Sequence, residues 1–218
     1  MHSDDSIVKS TDRMKLPGAF YQQTDVVHIA VQLLGKVLYT HIDGQTCSGL
    51  ITETEAYNGI VDKASHAYGG RRTARTEIMY ATGGTAYVYL CYGIHSLFNV
   101  VTNVEGVPHA ILIRGIAPLS GIETMEQRRK KKATTRGFAS GPGTVSQALG
   151  IHYKHSGLSL LEDQLWLEDA GIVLQQEDIL VSARIGVDYA AEDALLPYRF
   201  NIRDEVVRGV VKVLTALR

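Results

Sequence analysis

The sequence predicts an α+β fold in a single domain, and three observations carry that prediction. Strand-like runs cluster together instead of alternating with helices, the pattern of segregated elements. Of the 218 residues, 45% are hydrophobic, enough for one sizeable core. No internal repeat, low-complexity tract or Pro/Ser-rich linker divides the chain.

The elements follow in order. Residues 1–15 open with the polar, acidic MHSDDSIVKSTDR, are expected to form a disordered arm, and hold no apolar core of a signal peptide. Thr24 and Asp25 can cap a helix over 26–34, with Gly35 as its stop. Residues 36–42 read as a strand, Asp43-Gly44 as a hairpin turn, and 46–57 as the returning strand. Gly83-Gly84 precedes TAYVYLCY, a run of β-branched and aromatic residues. Tyr92-Gly93-Ile94-His95 reads as a turn, and 97–102 and 109–116 as further strands. Ser120 and Glu123 have the spacing of a capping box, and the helix they would open ends in the basic run 128–132, which complements its dipole. Pro142 and Gly150 bracket another helix. LWLED around Trp166, ILVSARIGVD around Val181 and YRFNIR around Phe200 are strand-like, and the tail 204–218 has weak helical character.

The formal net charge is -1, but it is polarised. Residues 63–154 hold twelve Lys/Arg against four Glu, and residues 155–205 hold three Arg against eleven Asp/Glu. A basic middle suits a polyanion such as nucleic acid, although solvated faces also carry charge blocks. No apolar run approaches a membrane span. Cys47 and Cys91 form no disulfide framework or metal knuckle, so a reducing compartment is expected.

Period two places Ile51, Glu53, Glu55 and Tyr57 on one strand face. Two carboxylates beside an aromatic suit general acid–base work, while the plain alternative is an edge strand or an ion pair with arginine. Acid and base of a carbohydrate hydrolase are one reading, but carboxylates roughly 6.5–7 Å apart on one strand point the same way and do not flank a sugar. A non-catalytic nucleic-acid-binding module is another. Tyr is the dominant aromatic, with 11 copies against four Phe. Tyr92, at a turn beside Gly93, is placed to wedge into a base stack, and Arg71, Arg72 and Arg75 supply candidate DNA-backbone contacts. His152 and His155 are three apart with no further ligand at metal spacing, and His66 and His95 stand singly, so no metal site is expected. The glycine pairs and Gly141-Pro142-Gly143 fit no phosphate-loop or dinucleotide fingerprint, and GxSxG is missing.

Taken together, TETEAY, Asp62, Ser65-His66, Gly69-Gly70-Arg71 and Arg75 resemble the alkyladenine (3-methyladenine) DNA glycosylase family. GTAYVYLCYG, FNVV, ILIRGIAP, GIETM and SGPGTVSQALGI follow in the same order, with LLGKVL before them and YRFNIR near the end. The resemblance covers residues 16–203, leaving 204–218 as a divergent tail. It implies a mixed domain around a curved antiparallel sheet with flanking helices and no helix-hairpin-helix. It further implies a monofunctional enzyme of base excision repair that flips alkylated, and in some cases deaminated, purines out of double-stranded DNA and leaves an abasic site. By this resemblance Glu55 is the base that activates water and Arg114 helps hold that water. Tyr57, His66 and Tyr89 enclose the flipped base, and Asn99 obstructs the amino group of guanine. Tyr92 fills the gap in the duplex. No cofactor or membrane is implied, a monomer is expected, and the location would be bacterial cytoplasm or eukaryotic nucleus. The bottom-up expectation is an ionised Glu55, favoured by Arg114, and aromatic walls that attract a cationic purine. Glu53 has no role assigned by the resemblance.

Overall fold

The computed structural model describes residues 14–216. In chain order the elements are β1 (Met14–Lys15), α1 (Gly18–Tyr21), α2 (Val26–Gln32), β2 (Val37–Ile42), β3 (Gln45–Tyr57), β4 (Ala86–Cys91), β5 (His95–Thr102), β6 (His109–Ser120), α3 (Ile122–Arg129), α4 (Pro142–Leu149), β7 (Leu165–Asp169), β8 (Ile179–Ser182), β9 (Arg199–Ile202) and α5 (Asp204–Ala216). The strands form one open, curved sheet of order β1-β7-β2-β3-β6-β5-β4, to which β9 adds beside β3 and β8 beside β9. Every pairing among the described residues is antiparallel. The α+β expectation therefore holds.

Strand β3 organises the molecule. Its first half pairs with β2 and its second half with β9, while β6 runs along its other edge. Two of the three irregularities in the β3–β6 ladder fall near the middle of β3: Thr52 is extra on β3, which puts Ile51 on the core face and not beside Glu53 as strict alternation predicts, and Arg114 with Gly115 opposes Glu53 on β6. Bulges bend a strand and re-aim side chains. Here they curve the sheet where Glu53, Glu55 and Arg114 meet. The main core lies on the other face, where Leu38, Ile51, Phe98, Ile111, Ile113 and Leu149 are buried.

Several local expectations are met for the reasons given. The Asp25 carboxylate caps α2 by accepting from the Val27 and His28 N–H groups at 3.0 Å. Asp43 and Gly44 take φ of 55° and 69°, the left-handed pair of a tight hairpin. Pro142 opens α4 and Gly150 closes it in the left-handed conformation.

Others are corrected. The capping box does not form: Ser120 stays on β6, its hydroxyl 2.6 Å from that of Ser48, and Gly121 caps α3 at φ 68° with no side-chain bond. A Cβ at Gly121 would lie 2.4 Å from the Thr46 carbonyl oxygen, so close approach to β3 fixes this position as glycine. The strand-like run after 179 stops at Ser182, because Arg184 turns inward to a buried partner. The arm expected over 1–15 lies outside the described residues up to 13, and Met14 and Lys15 pair with Asp169 and Glu168 as a strand. The tail forms α5, whose Val210 and Leu214 are buried with Val37, Leu50 and Leu119.

Candidate active site

The sheet face opposite the main core holds a cavity of about 230 Å³. Tyr57, His66, Tyr87, Tyr89, Asn99 and Arg114 line it, and Ile185, Val187 and Tyr189 close it from the segment after β8. Tyr92 and Cys91 stand at its edge. The fold thus brings together residues from four strands and two loops.

Glu55 lies directly behind this wall and is fully buried. Its Oε2 accepts a hydrogen bond from the Tyr57 hydroxyl at 2.8 Å, and its Oε1 accepts one from the Ile185 N–H at 2.8 Å. Arg114 Nε is 3.3 Å from the same Oε1. Burial pushes the Glu55 carboxyl above the usual glutamate range; Arg114, the Ile185 N–H and the Tyr57 hydroxyl oppose that shift, and Glu53 adds to it. Arg114 favours the ionised form, in the direction expected, but desolvation outweighs it. A carboxylate held this way is a stronger base once ionised. Burial also pushes the phenols of Tyr57 and Tyr89 up, so both stay protonated and Tyr57 remains a donor to Glu55.

Glu53 is nearly as buried as Glu55. Its Oε1 accepts from Arg114 Nε at 2.9 Å and from Arg199 Nε at 2.7 Å. Both carboxylates thus approach one guanidinium nitrogen from the same side, which leaves no room for a sugar between them.

His66 is pushed down to about 4, first by burial and then by Arg75 and Arg71. Its ring is neutral near pH 7. Arg75 Nη2 lies 3.4 Å from Nε2 and can only donate, so the proton sits on Nδ1, which donates to the Tyr87 hydroxyl at 2.8 Å. Between the ordinary histidine value and about pH 4 the unfolded chain takes up a proton at this ring that the folded chain does not. Stability is therefore expected to fall as pH drops through that window. An NMR titration should place the His66 midpoint near pH 4, and a midpoint near 6.5 would mean a solvated ring.

Asn99 Nδ2 donates to the Tyr87 and Leu97 carbonyls at 3.1 and 3.3 Å, leaving Oδ1 uncommitted. Exclusion of an amino group by Asn99 would then come from bulk, since Oδ1 is an acceptor. Tyr92 is 92% exposed at φ 51°, and neighbouring Ile94 is 73% exposed. A bulky residue in the left-handed region is costly, and Tyr92 shares that region with Gly93 in the tight turn between β4 and β5.

The three arginines sort differently. Arg72 pairs with Glu77 through Nε and Nη2 at 2.8 and 2.6 Å and covers the Tyr80 ring. Arg75 sits 4.7 Å over Tyr89, outside the cavity wall. The outer face of Tyr89 thus already carries a cation, which weakens the attraction expected for a cationic base. The Arg71 guanidinium alone of the three has no partner among the described residues.

The sequence reading missed Arg184, Ile185, Tyr189 and Arg199. Arg184 forms a buried bidentate ion pair with Asp62, Nη1 and Nη2 donating to its two carboxylate oxygens at 2.5 and 2.9 Å, and lies 4.9 Å over the Tyr57 ring. The only signal for it was an arginine inside an apolar strand-like run. Among the described residues no group of three His, Cys, Asp or Glu could hold a metal ion, and no helix is long and apolar enough to cross a membrane.

Comparison with known proteins places the chain in a family. A relative from Chlamydia felis, named as a 3-methyladenine DNA glycosylase, is 47% identical over 186 residues, covering 85% of this chain and 94% of that protein. Relatives of the same name from Clostridium perfringens and Bacillus cereus are 43% and 44% identical over 88% and 86% of this chain, and 97% and 95% of their own lengths. The model of the methylpurine-DNA glycosylase family matches residues 19–206, and this chain belongs to that family.

Proposed function

We propose that this DNA glycosylase is monofunctional and removes alkylated, and in some cases deaminated, purines from duplex DNA. The observation that carries the reading is Glu55: a fully buried carboxylate, oriented by Tyr57, Ile185 and Arg114, directly behind an aromatic cavity. A glycosidic bond inside a base stack is inaccessible, so the nucleotide must swing out. Tyr57, His66 and Tyr89 then enclose the base, and Tyr92 fills the gap it leaves.

Glu55 Oε2 accepts one hydrogen bond and keeps a second acceptor position for water. As the bond from C1′ to the purine nitrogen breaks, its electron pair leaves with the base and positive charge builds on the sugar. The ionised Glu55 stabilises that charge and takes a proton from the water, whose oxygen bonds to C1′. A cationic purine leaves neutral without help, whereas a neutral one needs a proton. The product is an abasic site in an intact strand. One chain carries the whole constellation, so it is expected to act as a monomer, without a cofactor, on damaged double-stranded DNA.

The test is a lesion panel. Duplex oligonucleotides carrying hypoxanthine, ethenoadenine or a methylated purine are incubated with the purified protein, then split into portions with and without hot alkali. Base release with strand breaks only after alkali is the expected result. Breaks before alkali would overturn the monofunctional reading, and no release from any lesion would overturn the whole.

A further inference from the structure

We infer that Glu53, held by Arg199, is a positioning residue that keeps Arg114 between two carboxylates instead of letting it close onto Glu55. The inference rests on the reading of Glu55 as the base, but the observations behind it are independent of that reading. Arg114 has one Nε hydrogen. It points to Glu53 Oε1 at 2.9 Å, with Glu55 Oε1 farther away at 3.3 Å. Neither Nη group of Arg114 bonds to another described residue, and the side chain lines the cavity. Anchoring through Nε thus leaves the Nη edge toward the substrate.

Left alone, an arginine beside a buried carboxylate favours the two-bonded fork geometry. That arrangement would occupy both Glu55 oxygens and displace Tyr57 or the water. Glu53 competes for Nε and prevents it. Glu53 in turn is a buried charge beside another carboxylate, a placement that needs a counter-charge. Arg199 supplies it at 2.7 Å, and its own position is set by β9, where Arg199 pairs across from Glu55 and Asn201 across from Glu53. Gly115 completes the device: a Cβ there would lie 3.0 Å from Glu53 Cβ, so the bulge leaves room for the Glu53 side chain to stand upright.

The charges facing Glu55 are few. Arg114 comes from β6, Arg199 from β9, Glu53 and Tyr57 from its own strand, and Arg184, the Ile185 N–H and Tyr189 from the segment after β8. Glu53 raises the Glu55 carboxyl through its charge. Removing it should therefore shift Glu55 downward, and removing Arg199 should shift it upward.

The experiment measures single-turnover excision against pH for the parent, Glu53→Gln, Arg199→Gln and the double variant, on one lesion that the parent removes. Glu53→Gln is expected to lower the plateau rate by about a hundredfold, the scale of a misplaced catalytic group. Its acid limb should move to lower pH. Arg199→Gln should move the limb to higher pH, and the double variant should bring it back toward the parent. Two substitutions that merely loosened the fold would not shift the limb in opposite directions. Limbs that stay in place, or move the same way, would overturn the inference while leaving Glu55 as base. A parent with no Glu55-dependent limb at all would instead overturn the underlying reading. Arg199 is partly exposed on β9, so that variant keeps the test open should Glu53→Gln not fold.

Discussion

Glu55→Gln is expected to lower the single-turnover excision rate by about 10²- to 10⁴-fold, the range a positioned general base supplies. Binding to lesion-containing duplex should persist, because the cavity walls and Tyr92 are untouched. The glutamine keeps the shape and one acceptor oxygen, but it cannot take a proton from water. The urea midpoint of this variant should be at or above the parent's, since a desolvated carboxylate destabilises the fold when it ionises. Burial raises the Glu55 carboxyl, so the folded protein holds its proton to higher pH than the unfolded chain does. Stability from this group is therefore present at low pH and lost as pH rises through the folded value, while activity needs the ionised form and rises over the same interval. The acid limb of the pH–rate profile should lie above the ordinary glutamate range and vanish in Glu55→Gln. Parent-like excision by that variant would remove Glu55 from the chemistry.

Asp62→Ala is expected to destabilise the protein by about 3–5 kcal/mol, the cost of stranding one member of a buried ion pair. The side chains of Asp62 and Arg184 are essentially inaccessible to water. Arg184 also donates to the carbonyls of Ala56 and Asp193 at 2.9 and 3.0 Å, and its Nε finds no acceptor among the described residues. Asp62 further accepts from the Asn58 and Ala64 N–H groups at 3.0 Å. Removing the carboxylate leaves a guanidinium in the interior without the group that pairs with it. The pair ties the loop after β3 to the segment carrying Ile185, whose N–H orients Glu55. Activity is therefore expected to fall with stability, and urea unfolding read beside excision at low temperature checks both. A midpoint unchanged from the parent would mean the pair is solvated.

Much of the fold was legible from local signals. Asp25, Asp43-Gly44, Pro142 and Gly150 act within a few residues of themselves, so their effects survive any tertiary context. The failures share a cause. Ser120 and Glu123 have capping-box spacing, yet β6 runs on through Ser120 because that residue has a partner on β3. Residues 183–187 are as strand-like as those before them, yet they leave the sheet because Arg184 has a buried aspartate to reach.

The site divides along the same line. Period two alone put Glu53, Glu55 and Tyr57 on one face, and resemblance to the glycosylase family singled out Glu55, Arg114, His66, Tyr89, Asn99 and Tyr92. The first is set by the alternation of a strand, and the second by the order of motifs along the chain. Which carboxylate is fully buried and which arginine stands between the two were decided by tertiary structure. Arg199 is 146 residues from Glu53, and Ile185 is 130 from Glu55. Desolvation and charge pairing depend on distances in space, and the two bulges that aim Arg114 exist only where β3 and β6 pair.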